Sequence, residues 1–349
     1  MKRLLLVLLF GLLLSGLAQS SSRVPPGWLE IPGPEGTMCS DGSPWKFYVS
    51  PGAANKVVLD FQGGGACWNE GNCNPQTATY TRTVQASELF LAQGIYNRLS
   101  IANPFYGWTH VFVPYCTADI HWGNATAQYG QTTIQHKGAV NAKAALDWLF
   151  ANRKDPDTVF VTGCSAGAYG AVMWAPYVMR QYPNAKVIQL GDAGVGVVND
   201  SFASTGFKNW KAEGALPDWI PDLAAAKADA SKIRLPAIYA AIAKAYPKNV
   251  LSQYTTAQDN TQIFFYGLMK GERQPSQATA VEWVQGAMGN LAAIKGASPN
   301  FFSFVAPGGQ HCVIPRPEFY TIKVGDTSLL EWVNRLVKTG NPGDVAPPR

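Results

Sequence analysis

The stretch Gly163-Cys164-Ser165-Ala166-Gly167 sets a serine between two glycines, each two residues away. It follows an apolar, β-branched run over residues 158–162 and precedes a helix-like run over residues 168–180. A serine on a sharp turn between a strand and a helix is presented as a nucleophile, and glycines leave room for that turn. The N–H of Ala166 can then stabilise a developing oxyanion near the positive end of the helix dipole. The pattern predicts acyl transfer by Ser165; the alternative is a glycine-rich turn that merely contains a serine.

A serine nucleophile needs a general base, and His311 is the best placed of the four histidines. It follows the last apolar strand-like run through a glycine-rich turn. Hydrolases built on a parallel α/β sheet carry their catalytic groups in the chain order serine, acid, histidine. Two carboxylates fit the middle place, Asp192 in Gly-Asp-Ala-Gly and Asp259 in Gln-Asp-Asn-Thr-Gln. The expected loop before the last pair of strands favours Asp259, and Asp192 stays open as the alternative or as a residue of the substrate cleft.

A second group of backbone donors is expected after the first apolar run, in the turn Gly63-Gly64-Gly65. Glycines let N–H groups approach a substrate without a Cβ atom in the way. We therefore predict an oxyanion hole formed by the N–H groups of Gly64, Gly65 and Ala166; a plain hairpin turn is the alternative. Trp68 and His121 are further candidates for the substrate cleft.

The elements that must position these residues are apolar runs alternating with helical patterns. This alternation predicts an α/β-hydrolase fold, with a mostly parallel central sheet and helices on both faces. The polar candidates follow strand ends, and ligands bind at the carboxyl edge of open parallel sheets. Residues 199–249 interrupt the alternation and are predicted to be a helical, lid-like insertion over that edge. The predicted strands are 57–61, 110–115, 158–162, 186–190, 250–256 and 301–305, and the further helices are 138–152, 279–294 and 328–337.

The chain begins with a pattern typical of an export signal. Lys2 and Arg3 precede an apolar run, Leu4 to Leu14, that is too short to span a membrane. Small residues near Ala18 predict cleavage there, which leaves residues 19–349 as a single domain in a secreted or periplasmic protein. Export permits disulfides, and the six cysteines leave their pairing open. No C-x-x-C pair is present, so neither a metal nor a redox site is expected.

The amino-acid composition indicates which classes of binding partner to expect. Hydrophobic residues make up 47% of the chain and charged residues 15%, which predicts a large core with a modestly charged surface. The formal charge of +5 includes Lys2 and Arg3, and no cluster of basic residues stands out, so nucleic acid is not an expected partner. We expect a monomer without a stable membrane anchor, acting on an acylated polysaccharide or a small ester.

The combination and order of these motifs resemble the pectin acetylesterase family, which also contains the animal Notum-type lipid deacylases. The resemblance runs through most of the chain after the signal, in scattered blocks. It departs from the plant members at Ala168, where they carry a second glycine, and the region 199–249 matches little of the family. The blocks are Leu59–Asn69, Val113–Cys116, Gly163–Gly167, Asp192–Gly194, Asp259–Gln262 and His311–Cys312.

This resemblance implies a serine carboxylesterase that needs no cofactor, with a triad at Ser165, Asp259 and His311. It also supports the glycine turn as the oxyanion hole. The implied substrates are O-acyl, above all O-acetyl, esters on pectin or another extracellular polysaccharide. Two alternatives stay open: a lipid or aryl esterase, and a secreted binding module that has lost catalysis.

Overall fold

The computed structural model describes residues 24–347, so the predicted signal peptide lies outside the described residues. The strands and helices follow one another in an alternating order. The strands are β1 (Leu29–Pro32), β2 (Lys46–Ser50), β3 (Ala53–Phe61), β4 (Trp108–Val113), β5 (Ala125–Tyr129), β6 (Thr132–His136), β7 (Thr158–Cys164), β8 (Lys186–Asp192), β9 (Val250–Thr256), β10 (Phe301–Ala306), β11 (Lys323–Val324) and β12 (Thr327–Ser328). The helices are α1 (Glu70–Cys73), α2 (Ser87–Leu91), α3 (Gly138–Asn152), α4 (Ala166–Gln181), α5 (Asp200–Trp210), α6 (Pro221–Ala226), α7 (Leu235–Ala245), α8 (Asn260–Met269), α9 (Gln277–Ala297) and α10 (Leu329–Thr339).

Eight strands form the central sheet in the order β1-β2-β4-β3-β7-β8-β9-β10. The neighbours from β4 to β10 run parallel, whereas β2 pairs antiparallel with both β1 and β4. The carboxyl ends of β3, β7, β8, β9 and β10 therefore meet at one edge of the sheet. Each strand predicted from the sequence overlaps one of these strands, and the predicted α/β-hydrolase fold is confirmed.

The core has a layer on each face of the sheet, because successive side chains of a strand point to opposite faces. Along β7, Val159 and Val161 join one buried cluster and Phe160 joins the other. Helices cover both layers with amphipathic faces. Helix α10, for example, buries Leu329, Trp332, Val333 and Leu336, which recur at the i, i+3, i+4 and i+7 spacing of one helical face.

The segment 199–249 forms α5, α6 and α7 together with short 3-10 turns. Helix α5 reaches the carboxyl edge of the sheet, as a lid would. Helix α7 differs, because it packs against α4, α9 and β9 and belongs to the layer that covers the sheet. Only part of the predicted insertion therefore lies over the sheet edge.

All six cysteines are paired, as Cys39–Cys116, Cys67–Cys73 and Cys164–Cys312. The second pair closes a short local loop, whereas the third joins residues 148 positions apart. Among the described residues, no helix combines the length and the apolar character that crossing a membrane requires.

Candidate active site

Ser165 lies on the turn between β7 and α4 in a strained conformation, with φ 58° and ψ −120°. Its backbone N–H donates to the carbonyl of Asp192 at 2.7 Å, which fixes the turn against the neighbouring strand. A Cβ atom on Gly163 would lie 2.3 Å from the carbonyl oxygen of Gly167, and one on Gly167 would lie 1.8 Å from that of Phe61. Only glycine fits at either position. The sequence pattern around Ser165 is thus a steric requirement of this turn, and strain of this kind is concentrated at functional sites.

His311 and Asp259 form a buried pair at the same edge of the sheet. The Nδ1 atom of His311 lies 2.9 Å from each carboxylate oxygen of Asp259. Asp259 is fully buried at the N-terminus of α8, where its carboxylate accepts from the backbone N–H groups of Thr261 and Gln262 and from the Gln262 side chain. A carboxylate accepts, so Nδ1 carries the proton and Nε2 presents its lone pair.

That lone pair has no hydrogen-bond partner among the described residues, although Nε2 is buried. Ser165 and His311 both line the same two cavities. A ring nitrogen of His311 and the sulfurs of Cys164 and Cys312 lie within 4.8 Å of one another. These sulfurs are joined in a disulfide and offer no thiolate ligand, so the cluster serves to hold the histidine beside the serine turn.

Asp192 takes a different position from either one the sequence left open. It is fully buried and lines neither cavity, and its carboxylate accepts from the backbone N–H groups of Val313 and Ile314 at 2.7 and 2.8 Å. Burial raises the pKa of Asp192 to about 7. The expectation that Asp192 faces the cleft is therefore wrong. This side chain holds the loop that carries His311, and Asp259 is the partner of the imidazole.

The prediction that His121 lines the substrate cleft is also wrong. It is 1% exposed, lines neither cavity, and its Nε2 lies 2.9 Å from the carbonyl oxygen of Gln62. Burial lowers the pKa of His121 to about 4, so the ring is neutral near pH 7 and donates to that carbonyl. The ring supports the turn after β3 from below and does not reach the cleft.

The glycine turn after β3 meets the serine turn. Gly64 and Gly65 have φ +156° and +78°, and a Cβ atom on Gly65 would lie 1.9 Å from the carbonyl oxygen of Thr79. The backbone N–H groups of Gly64, Gly65 and Ala166 donate no hydrogen bond within the described part of the chain. Unpaired N–H groups beside a serine on such a turn are suited to bind an oxyanion.

Two cavities meet at Ser165 and His311. The first encloses about 790 Å³ of empty space, including its opening to solvent, and its walls are mostly aromatic and aliphatic. Trp68 lines it, as predicted, together with Phe202, Phe207 and Trp210 of α5. The second mixes apolar residues such as Phe61, Phe265 and Pro315 with hydroxyl, amide and carboxyl side chains, and we call it the polar cavity after the latter. These polar residues are Gln62, Thr79, Thr81, Gln85, Ser87, Glu88, Tyr96 and Thr261.

Sequence reasoning missed most of the apolar cavity. Phe202 and Phe207 stand on one helix with Trp210, and this spacing could have identified an aromatic face on α5. No local signal marks Phe265 or Tyr266 of α8 as lining residues, because they reach the cavity only through the packing of α8 beside Asp259. The same holds for Glu88, which the fold brings to the site from a separate short helix.

The family model described as "Pectinacetylesterase" matches residues 18–213. That range contains the glycine turn and Ser165 but ends before Asp259 and His311, so these two rest on the geometry given above. Pectin acetylesterase 7 of Arabidopsis thaliana is 28% identical over 190 residues, which cover 52% of this chain and 49% of that protein. The palmitoleoyl-protein carboxylesterase NOTUM of Homo sapiens is 26% identical over 179 residues, which cover 48% of this chain and 36% of that protein.

The chain thus spans half or less of the length of these curated relatives. A solved structure of the Wnt deacylase Notum from Drosophila superposes with a TM-score of 0.64, at 16% identity. That match covers 93% of this chain and 96% of the other. At this level of identity the likeness establishes a shared fold.

Proposed function

Because the chain belongs to the pectinacetylesterase family, we propose that it is a serine carboxylesterase that acts through Ser165, His311 and Asp259. One observation carries the proposal. The imidazole of His311 is held through Nδ1 by both oxygens of Asp259, while its Nε2 is left unpartnered beside the cavities that Ser165 lines. A base oriented by a carboxylate next to a serine on a strained turn is the arrangement of a serine hydrolase.

The reaction proceeds in two acyl-transfer steps. Nε2 of His311 takes the proton of the Ser165 hydroxyl as Oγ attacks the ester carbonyl carbon. The oxyanion is stabilised by the N–H groups of Gly64, Gly65 and Ala166. The C–O bond to the alcohol then breaks, and His311 returns the proton to the leaving alkoxide. Water attacks the acyl-enzyme with the same base and releases the acid and free Ser165.

O-acetyl esters of a polysaccharide such as pectin are the first candidate substrate. The family to which the chain belongs supports this candidate, as does the polar cavity beside Ser165, because hydroxyl and amide side chains bind sugars. Export has separate support, because the three disulfides form in oxidising compartments.

A longer acyl group is the second candidate, and the apolar cavity favours it. Acetyl offers one methyl group to a wall of Trp68, Phe202, Phe207 and Trp210. Each additional buried CH₂ of an acyl chain contributes about 0.8 kcal/mol of transfer free energy. An alkyl chain would thus gain binding energy there that acetyl does not, and this makes a lipid-type ester the competitor of the acetylated glycan.

The proposed activity is tested with a Ser165→Ala variant assayed on a soluble nitrophenyl ester. We expect kcat to fall by about 10⁴-fold, as in other triads that lose their nucleophile, with the thermal unfolding midpoint retained. Ser204→Ala is the control, because this serine is exposed on α5. Near-normal hydrolysis by folded Ser165→Ala would exclude the mechanism.

The two substrates are separated by comparing nitrophenyl acetate with nitrophenyl octanoate. If the apolar cavity binds the acyl chain, kcat/KM for octanoate exceeds that for acetate by at least about tenfold, which needs only two buried CH₂ groups. Substituting Phe207, a wall residue, by Ala should then reduce the octanoate rate more than the acetate rate. A preference for acetate in the unmodified chain would favour the deacetylase.

A further inference from the structure

One carboxylate faces the polar cavity, and the mechanism does not use it. Glu88 stands in the first turn of α2, is half-buried, and lines the cavity that also contains Ser165 and His311. The cavity holds about 870 Å³ of empty space, including its opening to solvent. It shares Ser165 and His311 with the apolar cavity, so an ester whose acyl half occupies the apolar cavity can place its alcohol half here.

The Glu88 carboxylate is fixed in place by Gln62, the residue before the glycine turn. The Nε2 atom of Gln62 donates to both carboxylate oxygens, at 3.0 and 2.9 Å. The other end of this amide accepts from the backbone N–H of Tyr115 at 3.0 Å, and Gln62 itself is 6% exposed. A neutral amide held at both ends therefore orients a negative charge on the cavity wall.

No cation offsets this charge on the cavity wall. Among the described residues that line the polar cavity there is no lysine or arginine, and the remaining polar side chains are hydroxyls, amides and the imidazole of His311. Burial and the charges of Asp60 and Glu88 also raise the pKa of Tyr96, so its phenol stays neutral. The wall can exchange hydrogen bonds with hydroxyl groups, whereas a carboxylate placed there meets the like charge of Glu88 and no lysine or arginine that would offset it.

We propose that this cavity selects an uncharged, hydroxyl-rich alcohol half, such as a neutral glycan, and that Glu88 discriminates against alcohols that carry a carboxylate. The proposal rests on the carboxylesterase function and narrows it. A backbone of free uronate units, as in unesterified pectin, is disfavoured, and a neutral or methyl-esterified glycan is preferred.

The test uses two sugars that differ at one group, a free carboxylate in one and its methyl ester in the other. Methyl galacturonoside and its carboxyl methyl ester are acylated on the same hydroxyl, with the acyl group that the chain-length comparison selects. We expect kcat/KM for release of that acid to be about tenfold higher for the neutral sugar at low ionic strength, as for like charges several ångströms apart near a surface. The ratio should shrink in 1 M salt, which screens charges beyond about 3 Å.

Glu88→Gln should bring the same ratio near one, because it raises kcat/KM for the charged sugar. Glu35 is exposed and outside both cavities, so Glu35→Gln is the control and should leave the ratio unchanged. Equal or faster turnover of the carboxylate sugar by the unmodified chain would overturn the proposal. So would an undiminished ratio in folded Glu88→Gln. If Glu88→Gln does not fold, the salt dependence of the ratio in the unmodified chain still tests the charge repulsion. Failure of the esterase function looks different, because then neither sugar nor nitrophenyl esters are hydrolysed.

Discussion

At the scale of single residues, Asp192 shows how a carboxylate can serve the site without contact with the cavities. Its backbone carbonyl accepts from Ser165 and its side chain from Val313 and Ile314, so one residue binds the turn of Ser165 and the loop of His311. Its second carboxylate oxygen, Oδ1, has no partner among the described residues. Burial without full compensation explains why the pKa is raised to about 7.

This shift predicts a pH dependence of stability. The folded chain binds a proton at Asp192 up to about pH 7, whereas the unfolded chain releases it near pH 3.8. The stabilisation from this group is therefore complete below about pH 4 and is lost as the pH rises toward 7. Asp192→Asn removes this contribution, so the slope of the unfolding free energy against pH between pH 5 and 6.5 should become more positive by up to about 1.4 kcal/mol per pH unit.

Urea unfolding of the full chain at several pH values measures that slope. Burial also raises the pKa of Asp119 to about 7 and lowers the pKa values of His121 and His136 to about 4. These groups stay in the variant and contribute slopes of opposite sign. The control is Asp147→Asn, an exposed carboxylate on α3 that pairs with Lys143. Equal slopes in the unmodified chain and in Asp192→Asn would show that Asp192 is ionised in the folded protein at these pH values.

At the scale of elements, the site depends on how the turn after β7 is joined to the loop after β10. These strands are not neighbours in the sheet, since β8 and β9 lie between them. The disulfide Cys164–Cys312 spans that gap and links the residue before Ser165 to the residue after His311. A displacement of about 1 Å in such a constellation can cost 10²-fold in rate.

We therefore expect reduction of this disulfide to lower kcat by at least about tenfold. Cys164 is partly exposed and lines the polar cavity, whereas the two cysteines of the Cys39–Cys116 pair are fully buried. Dithiothreitol should therefore open Cys164–Cys312 first, giving two protein thiols and one cyclic disulfide of the reagent. Alkylation followed by peptide mass spectrometry, with activity measured in parallel, follows the reaction.

The assay temperature must stay well below the unfolding midpoint, because a cross-link over a loop this long stabilises by about 5 kcal/mol in the chain-entropy description. The double variant Cys39→Ala/Cys116→Ala is the control, since it loses a cross-link of 77 residues that touches neither Ser165 nor His311. Full kcat after selective opening of Cys164–Cys312 would contradict the positioning role.

Across the whole molecule, the fold and the catalytic candidates at the sheet edge could be predicted from the sequence. Apolar β-branched runs mark buried parallel strands, so the sheet followed from the sequence, and the residues after those runs had to meet at one edge. Ser165 and His311 were predicted this way, and the structure places both beside the same cavities. Topology favoured Asp259 over Asp192, but both follow neighbouring strands, and only the through-space distances separate their contacts.

The cavities could not be predicted for a related reason. Their walls combine α5, α8, the glycine turn and the loop before α2, and no periodicity in one segment reports on packing against another. The pairing of Cys164 with Cys312 was open for the same cause, since six cysteines allow many pairings and sequence separation does not choose among them.

If Ser165 is the nucleophile of an ester hydrolase, a reagent that reacts covalently with activated serines will label it. The full chain is titrated with a fluorophosphonate while ester hydrolysis and the labelled peptide are followed together. We predict one label per chain, on the peptide that contains Ser165, with activity lost in proportion and no label on Ser165→Ala. A folded, active chain that resists the reagent, or that keeps hydrolysing esters once Ser165 is fully labelled, would contradict the account.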